Sequence, residues 1–461
     1  MNSDPSFEII RINDLGADGK AVGRDQNGKV VFLEGGLPGE LVEARIFQRR
    51  RNFNRGKVVR TIEPSEFRIS APCVHFDSCG GCAWQDLEYQ TQLEFKKKRV
   101  VDNLERLGGF ENVVVDDILP CAEHFRYRNK MEFSFGVESA DSESENKSEF
   151  ALGLHLRGEF ARIFNVTECL LMSETCNEIL NWFREFVRTH KIPAYDVRNH
   201  HGYLRFLMLR ESRKTGEIMI NIVTSSAEFP NSRELVSELT RKFPTAVTIV
   251  HNKTDSKANI AYGESEAILY GSGYIREEML GKNFRIYANS FFQTNTLQAE
   301  NLYNIAFAQA ELQASDKLMD LYCGAGSIGI CLAEKVQEII GIEMEESAII
   351  SARENAIENK IENISFIAGD VRKTLRERKE EFRNTDVVIV DPPRAGMIPR
   401  AVHHTCDLGA RRIVYVSCNP GAFARDAVLF DQGGYTLKRV SPVDMFPHTT
   451  HIELVATLDR R

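Results

Sequence analysis

The chain has 461 residues, 43% hydrophobic and 27% charged, which lies in the ordinary globular range and excludes a mostly disordered, collagen-like or coiled-coil protein. With 58 Lys and Arg against 66 Asp and Glu the net charge is −8, so a nucleic-acid partner must be held by local basic patches. At roughly 150 residues per domain, about three domains are expected. The start MNSDPSFEII has no basic n-region or apolar h-region, and no stretch approaches the ~18 apolar residues of a membrane span. The expectation is a soluble cytoplasmic protein.

Residues 1–63 alternate short β-rich runs (FEIIRI, VVFLEGGLPGE, LVEARIF, GKVVRTIEP) with glycine turns, predicting a small antiparallel barrel of OB type. Between Arg45 and Arg60 lie seven cations (Arg45, Arg49, Arg50, Arg51, Arg55, Lys57, Arg60) and no carboxylate, with Phe47 and Phe53 interleaved. A solvated loop and an RNA contact with aromatic stacking both fit such a run.

Residues 64–280 open with Cys73, Cys79 and Cys82, followed by a predicted helix from Asp86 to about Leu107 carrying the basic run Lys96 to Arg99. A basic-aromatic stretch, FRYRNKMEFSF, spans Phe125 to Phe135. Residues 138–149 are acidic and serine-rich between strand-like runs and read as a mobile hairpin loop without chemistry. From Cys176 to about Ile275 the pattern is mixed: NEILNWFREFVRTH is helical, and LRFLMLRES, GEIMINIVTS and AVTIVHNK are strands. That mixture predicts an α+β domain. Ten cysteines in a long intracellular chain do not suggest a disulfide scaffold. The spacing Cys73-x5-Cys79-x2-Cys82 points to metal; zinc and iron–sulfur both remain open, with Cys121, Cys169 and Cys176 eligible as the fourth ligand.

Residues 281–461 alternate strand and helix regularly, the signature of a doubly wound parallel sheet. Gly324-Ala325-Gly326-Ser327-Ile328-Gly329 fits GxGxxG between a strand and a helix, and Glu343 lies 19 residues after Gly324, near a ribose-gripping position. This loop alone suits a nicotinamide dinucleotide as well as S-adenosylmethionine. The fourth strand ends in Asp391-Pro392-Pro393-Arg394, a carboxylate and rigid proline pair suited to lining a planar base, which favours the methyl donor. One strand over, IVYVS runs into Cys418-Asn419-Pro420. A thiolate is a soft nucleophile suited to conjugate addition at C6 of uracil, after which C5 can take a methyl group. The C5 proton must then leave, which needs a base. Glu453, a carboxylate in the apolar run HIELVATL, is the candidate, with His448 and His451 as rivals; an exposed strand residue is the plain alternative.

These motifs together resemble the RNA 5-methyluridine methyltransferase family, particularly its 23S ribosomal-RNA branch: YANSFFQTN (287–295), MDLYCGAGSIG (319–329), GIEM (341–344), VDPPRAG (390–396), VSCNP (416–420) and HIELVATL (451–458). The resemblance implies an α/β, Rossmann-like S-adenosylmethionine-dependent methyltransferase domain behind an N-terminal TRAM barrel and an α+β central domain. It implies Cys418 as nucleophile, Glu453 as base, and Gln293, Tyr322, Ser327, Glu343, Asp370 and Asp391 as the S-adenosylmethionine site. It also implies a [4Fe–4S] cluster on Cys73, Cys79, Cys82 and Cys169, with a structural role. The partner is then RNA, probed by a monomer, with the target base extruded from its stack. Transfer RNA is an alternative substrate, and an RNA assembly factor without methyl transfer an alternative function. Radical methylthio-transfer needs a CxxxCxxC spacing that Cys73, Cys79 and Cys82 do not provide.

Overall fold

A computed structural model describes residues 6–16, 18–138 and 149–461 of the chain. Five strands, in the order Ser6–Leu15, Ala21–Arg24, Val30–Glu34, Phe53–Glu63, Leu41–Arg49, close into a barrel. Alternate residues, among them Ile10, Ile12, Val31, Leu33, Val42 and Ile46, point inward as its core. The barrel is not wholly antiparallel. Leu41–Arg49 leaves the position next to Val30–Glu34 and pairs with Ser6–Leu15, so Phe53–Glu63 inserts between Val30–Glu34 and Leu41–Arg49 and runs parallel to Val30–Glu34.

The central part is a seven-stranded sheet ordered Ser265–Tyr270, Ala246–Lys253, Ile218–Thr224, Leu204–Glu211, Lys130–Glu138, Glu149–Leu156, Glu159–Asn165. Helices Glu174–Thr189 and Ser232–Lys242 bury Ile179, Phe183, Leu235 and Leu239 against Phe133, Leu207 and Ile220 of one sheet face. The expected acidic loop is the connection of the hairpin Lys130–Glu138 and Glu149–Leu156; its residues 139–148 lie outside the described residues.

The C-terminal sheet has eight strands. Five are parallel, in the order Ile364–Ala368, Glu338–Glu343, Lys317–Leu321, Val387–Val390, Arg412–Ser417; Glu453–Arg460 and Tyr435–Val443 then add antiparallel. Val387–Val390 is buried along its length, the continuous apolar run that a strand covered on both faces requires. Helices Thr296–Ala310 and Glu346–Glu358 cover one face and Val371–Glu377, Pro399–Asp407 and Pro420–Gln432 the other.

Segments from the expected central domain also build this unit. The hairpin Tyr274–Met279 and Lys282–Tyr287, which straddles residue 280, puts Ile275 and Phe284 into the first of those cores. Helix Tyr89–Asn103 and its terminal π-turn Leu104–Gly108 put Val100 and Leu104 into the second, and Val114–Val115 is the eighth strand. Chain order reverses between Lys317–Leu321 and Val387–Val390, and the crevice outside the carboxyl ends of the strands there is where open α/β sheets bind ligands.

Candidate active site

The glycine turn follows Lys317–Leu321 directly. Tyr322 has φ 64°, and Gly324 and Gly326 have φ 53° and 79°. A Cβ on Gly326 would lie 2.9 Å from the Phe366 ring, so glycine is required there by backbone conformation and by close approach to the neighbouring strand. Across the turn the Glu343 carboxylate accepts the Gly324 N–H at 3.1 Å and those of Met344 and Glu345 at 2.7 and 3.0 Å. Asp370 caps helix Val371–Glu377 by accepting the Lys373 N–H at 2.8 Å, and the Ser327 hydroxyl lies 3.0 Å from that of Tyr303. Gln293 is buried. Sequence reasoning missed Asp320, which lies under the turn with no exposed surface. Its Oδ2 accepts the Gly329 N–H at 3.0 Å, Oδ1 has no partner among the described residues, and burial carries its pKa up to about 7. The available signal was one acid in the apolar strand KLMDL.

Four side chains meet at the next strand ends. Ser417 pairs with Leu454 in the antiparallel ladder, so the following residue, Cys418, stands opposite Glu453. Asp391 ends the adjacent parallel strand, its N–H bonded to the Leu321 carbonyl at 3.2 Å. Burial pushes the Cys418 thiol up to about 12; Glu453 and Asp391 push the same way and Arg394 opposes them. Glu453 is only 6% exposed, so it is no surface strand residue. Burial holds its pKa well above the usual carboxylate range, Asp391 adds to this and Arg394 opposes it. Burial alone lifts Asp391 to about 7. Three groups here resist ionisation, and Arg394 opposes that at two of them, Cys418 and Glu453. Asn419 ties the loops together: its Nδ2 donates to the Arg394 carbonyl at 2.9 Å, while its Oδ1 caps helix Pro420–Gln432.

The two histidines sit differently. His451 Nδ1 is 3.3 Å from the Arg394 guanidinium, and burial together with that cation lowers its pKa to about 4. His448 is buried, stacked on Phe125 and bonded to Gln92 at 3.3 Å, with its carbonyl accepting from Ala83 and Trp84. It is a packing residue.

Cys73, Cys79, Cys82 and Cys169 line one cavity of about 360 Å³, together with His75, Gln85, Arg128 and Thr294. Burial raises Cys82 to about 12 and Cys169 to about 11, and both are raised further by Cys73 and Cys79. The Gly81 N–H donates to Cys79 Sγ at 3.3 Å. Cys121 instead contacts Asn295 and Glu123, and Cys176 lies in the core under helix Glu174–Thr189. Among the described residues no three His, Cys, Asp or Glu side chains converge on a single ion position.

Residues 258–461 match the family described as tRNA (Uracil-5-)-methyltransferase, and residues 9–59 match the TRAM domain. A protein of Caldanaerobacter subterraneus, named an uncharacterized RNA methyltransferase, is 40% identical over 98% of this chain and 98% of its own length. One of Chlorobaculum tepidum with the same kind of name is 38% identical over 98% and 96%. The crystal structure of Pyrococcus abyssi tRNA (uracil-54, C5)-methyltransferase with S-adenosyl-L-homocysteine has a TM-score of 0.77 and 31% identity, covering 98% of this chain and 99% of that one. The chain belongs to the RNA uracil-5-methyltransferase family.

The surfaces of this RNA methyltransferase differ from the basic runs of its sequence. Lys96 is fully buried, 2.6 Å from Asp444, and Lys97, Lys98 and Arg99 are engaged with Asp117, with Asp14 and Asp102, and with the Thr450 carbonyl. In FRYRNKMEFSF, Tyr127, Phe133 and Phe135 are core residues. The barrel run is the open one. Arg49 pairs with Glu8 and Arg60 with Glu43, while Arg45, Arg55 and Lys57 remain exposed. Arg45 stands between Phe7 and Lys57 in the ladders. Phe47 is 51% exposed, whereas Phe53 packs edge-on to Phe32 and is covered by Arg55. No helix among the described residues is long and apolar enough to cross a membrane.

Proposed function

We propose that this methyltransferase methylates C5 of a uridine in structured RNA, using S-adenosylmethionine. The convergence of Cys418, Glu453 and Asp391 at one sheet edge, beside the glycine turn, carries the reading. Glu343 faces the turn as a ribose ligand would, and Gln293, Tyr322, Ser327, Asp370 and Asp391 complete the donor site. When bound there, S-adenosylmethionine supplies the methyl group to C5.

Each remaining step belongs to the protein and the RNA. Ionised Asp391 takes the Cys418 thiol proton; the sulfur bonds to uracil C6, and the ring electrons move through C5 to O4. Asp391, now protonated, donates to that oxygen in a buried site, where such a bond is strong. After C5 is methylated, the Glu453 carboxylate removes the C5 proton, the C5–C6 double bond re-forms, and Cys418 leaves as thiolate to recover its proton from Asp391. The base must leave its stack for the sulfur to reach C6. Burial disfavours the ionised form of Glu453 and Arg394 opposes that effect, so Arg394 is the charge that favours its working carboxylate form.

The four thiols around one cavity suit a polynuclear cluster better than a single ion, and the Gly81 N–H is the kind of donor that steadies a bound thiolate. We assign [4Fe–4S] to Cys73, Cys79, Cys82 and Cys169, so that segment 73–82 and the loop at 169 would hold it together. The enzyme acts as a cytoplasmic monomer, since the barrel supplies its own RNA-holding face. Large-subunit ribosomal RNA is the substrate the whole motif set favours; the Pyrococcus abyssi relative favours transfer RNA as the second reading.

Full-length enzyme is incubated with 5-fluorouridine-substituted 23S ribosomal RNA fragments or transfer RNA and S-adenosylmethionine. A denaturation-resistant adduct forms with the true substrate, vanishes in Cys418→Ala, and accumulates on ordinary uridine RNA in Glu453→Gln. An adduct that survives Cys418→Ala overturns the assignment.

A further inference from the structure

One short segment joins the cysteine cavity to the methyl-donor site. Arg126 and Arg128 hold the loop of Cys169. Their N–H groups donate to the Leu170 and Leu171 carbonyls at 2.8 Å each, and the Arg126 guanidinium donates to the carbonyls of Cys169 and Met172 at 3.1 and 2.8 Å. The intervening residues hold the catalytic loops. The Tyr127 hydroxyl donates to the Pro447 carbonyl at 3.0 Å, on the approach to Glu453. The Asn129 N–H donates to the Thr294 carbonyl at 2.8 Å, and its Nδ2 to the Gln293 carbonyl and Thr296 Oγ1 at 2.9 and 2.8 Å. The Thr296 hydroxyl in turn donates to Glu277 Oε2 at 2.9 Å. Asn129 is 6% exposed, so these bonds have no ready replacement by water. Thr294 itself lines the cysteine cavity.

We propose that Asn129 is the positioning residue for Gln293, and that through Arg126–Asn129 the state of the four-cysteine cavity sets affinity for the methyl donor. Filling the cavity fixes the Cys169 loop, which fixes Arg126 and Arg128, and the same backbone then presents Asn129 to Gln293. The inference rests on the reading that Gln293 holds S-adenosylmethionine and that the four thiols hold a cluster. By linkage, the methyl donor in turn stabilises the filled cavity by the same factor.

The full chain is purified without oxygen, its iron measured, and S-adenosylhomocysteine titrated by calorimetry before and after chelator removes the iron. Wild type loses about tenfold in affinity on stripping, within the usual span of coupling between sites. Asn129→Asp, nearly isosteric but unable to donate to the Gln293 carbonyl, binds about tenfold more weakly with iron in place and changes less than about twofold on stripping. Asn129→Ser is the second variant, and melting temperature is recorded for all, because a purely structural asparagine would lower it without altering affinity. Wild-type affinity in both variants overturns the positioning role. A variant that still loses tenfold on stripping overturns transmission through Asn129. A protein that carries no iron overturns the cluster reading and the transmission with it, while the comparison of variants still decides whether Asn129 positions Gln293.

Discussion

Replacing Asp320 by Asn should stabilise the protein, and by more at higher pH. The carboxylate is wholly buried beneath the glycine turn, one oxygen satisfied by the Gly329 N–H and the other unpartnered, and burial carries its pKa from 3.8 to about 7. A carboxyl whose folded pKa lies above its unfolded value contributes its full stability below the unfolded pKa and loses it as pH rises through the folded one. At about 1.4 kcal/mol per unit, the full cost above pH 7 is about 4 kcal/mol, of which about 1.5 is already present at pH 5. Asn keeps an acceptor for Gly329 and carries no charge to desolvate, so its advantage over Asp should grow by about 2–3 kcal/mol between pH 5 and pH 8. Thermal unfolding of the ligand-free protein at a series of pH values measures this: for a unit of this size it is a widening gap in melting temperature of about 5–10 °C. A gap that stays constant with pH, or an Asn variant less stable at pH 8, would refute the reasoning.

The other expectations follow from charges and exposed rings. Arg394→Met removes the cation that opposes burial at both Cys418 and Glu453; the rising limb of the pH–rate profile should move up by about one unit, a loss of about tenfold at pH values on the limb, and an unmoved limb would contradict the assigned electrostatics. Lys96→Met leaves Asp444 charged and buried without its partner and should cost about 3–5 kcal/mol in urea denaturation, most of it regained when Asp444→Leu is added; equal stability of the single and double variants would count against a buried ion pair. In RNA anisotropy titrations across salt concentrations, Lys57→Ala should lower the salt slope by about 0.7–0.9, whereas Phe47→Ala should lose about 1–3 kcal/mol with the slope intact. A change of slope in Phe47→Ala would mean that its ring does not stack on a base.

Strand and helix alternation after residue 281 was legible because each buried strand is a local apolar run and each glycine turn has a local conformational requirement. Cys418 and Glu453 were legible as candidates, but their meeting depends on the ladder pairing Ser417 with Leu454, and strand pairing is non-local. The parallel closure of the barrel was hidden for the same reason. The basic runs misled where charge was read without periodicity. Lys96 falls three residues after Leu93 and four before Val100, on the buried stripe of its helix, and that spacing already marks it as an inward lysine needing an inward carboxylate. Arg45 and Lys57, by contrast, lie on strands whose alternate residues form the barrel core, and period two alone puts them outside.

The placement of helix Tyr89–Asn103 explains how the loop before Glu453 keeps that carboxyl buried, where its neutral form is favoured. Gln92 accepts the His448 N–H, Lys96 binds Asp444 and the Phe446 carbonyl, and Arg99 binds the Thr450 carbonyl, so successive turns of one helix face grip successive residues of the loop that enters Glu453. A lone loop would relax to let water reach the buried carboxyl, and the raised pKa would fall. Rigid anchoring on a helix whose other contacts are Val100 and Leu104 in the sheet core prevents that relaxation. The same helix pairs Lys98 with Asp14 of the barrel. Barrel, helix and the loop that enters Glu453 are therefore joined by direct contacts through one helix.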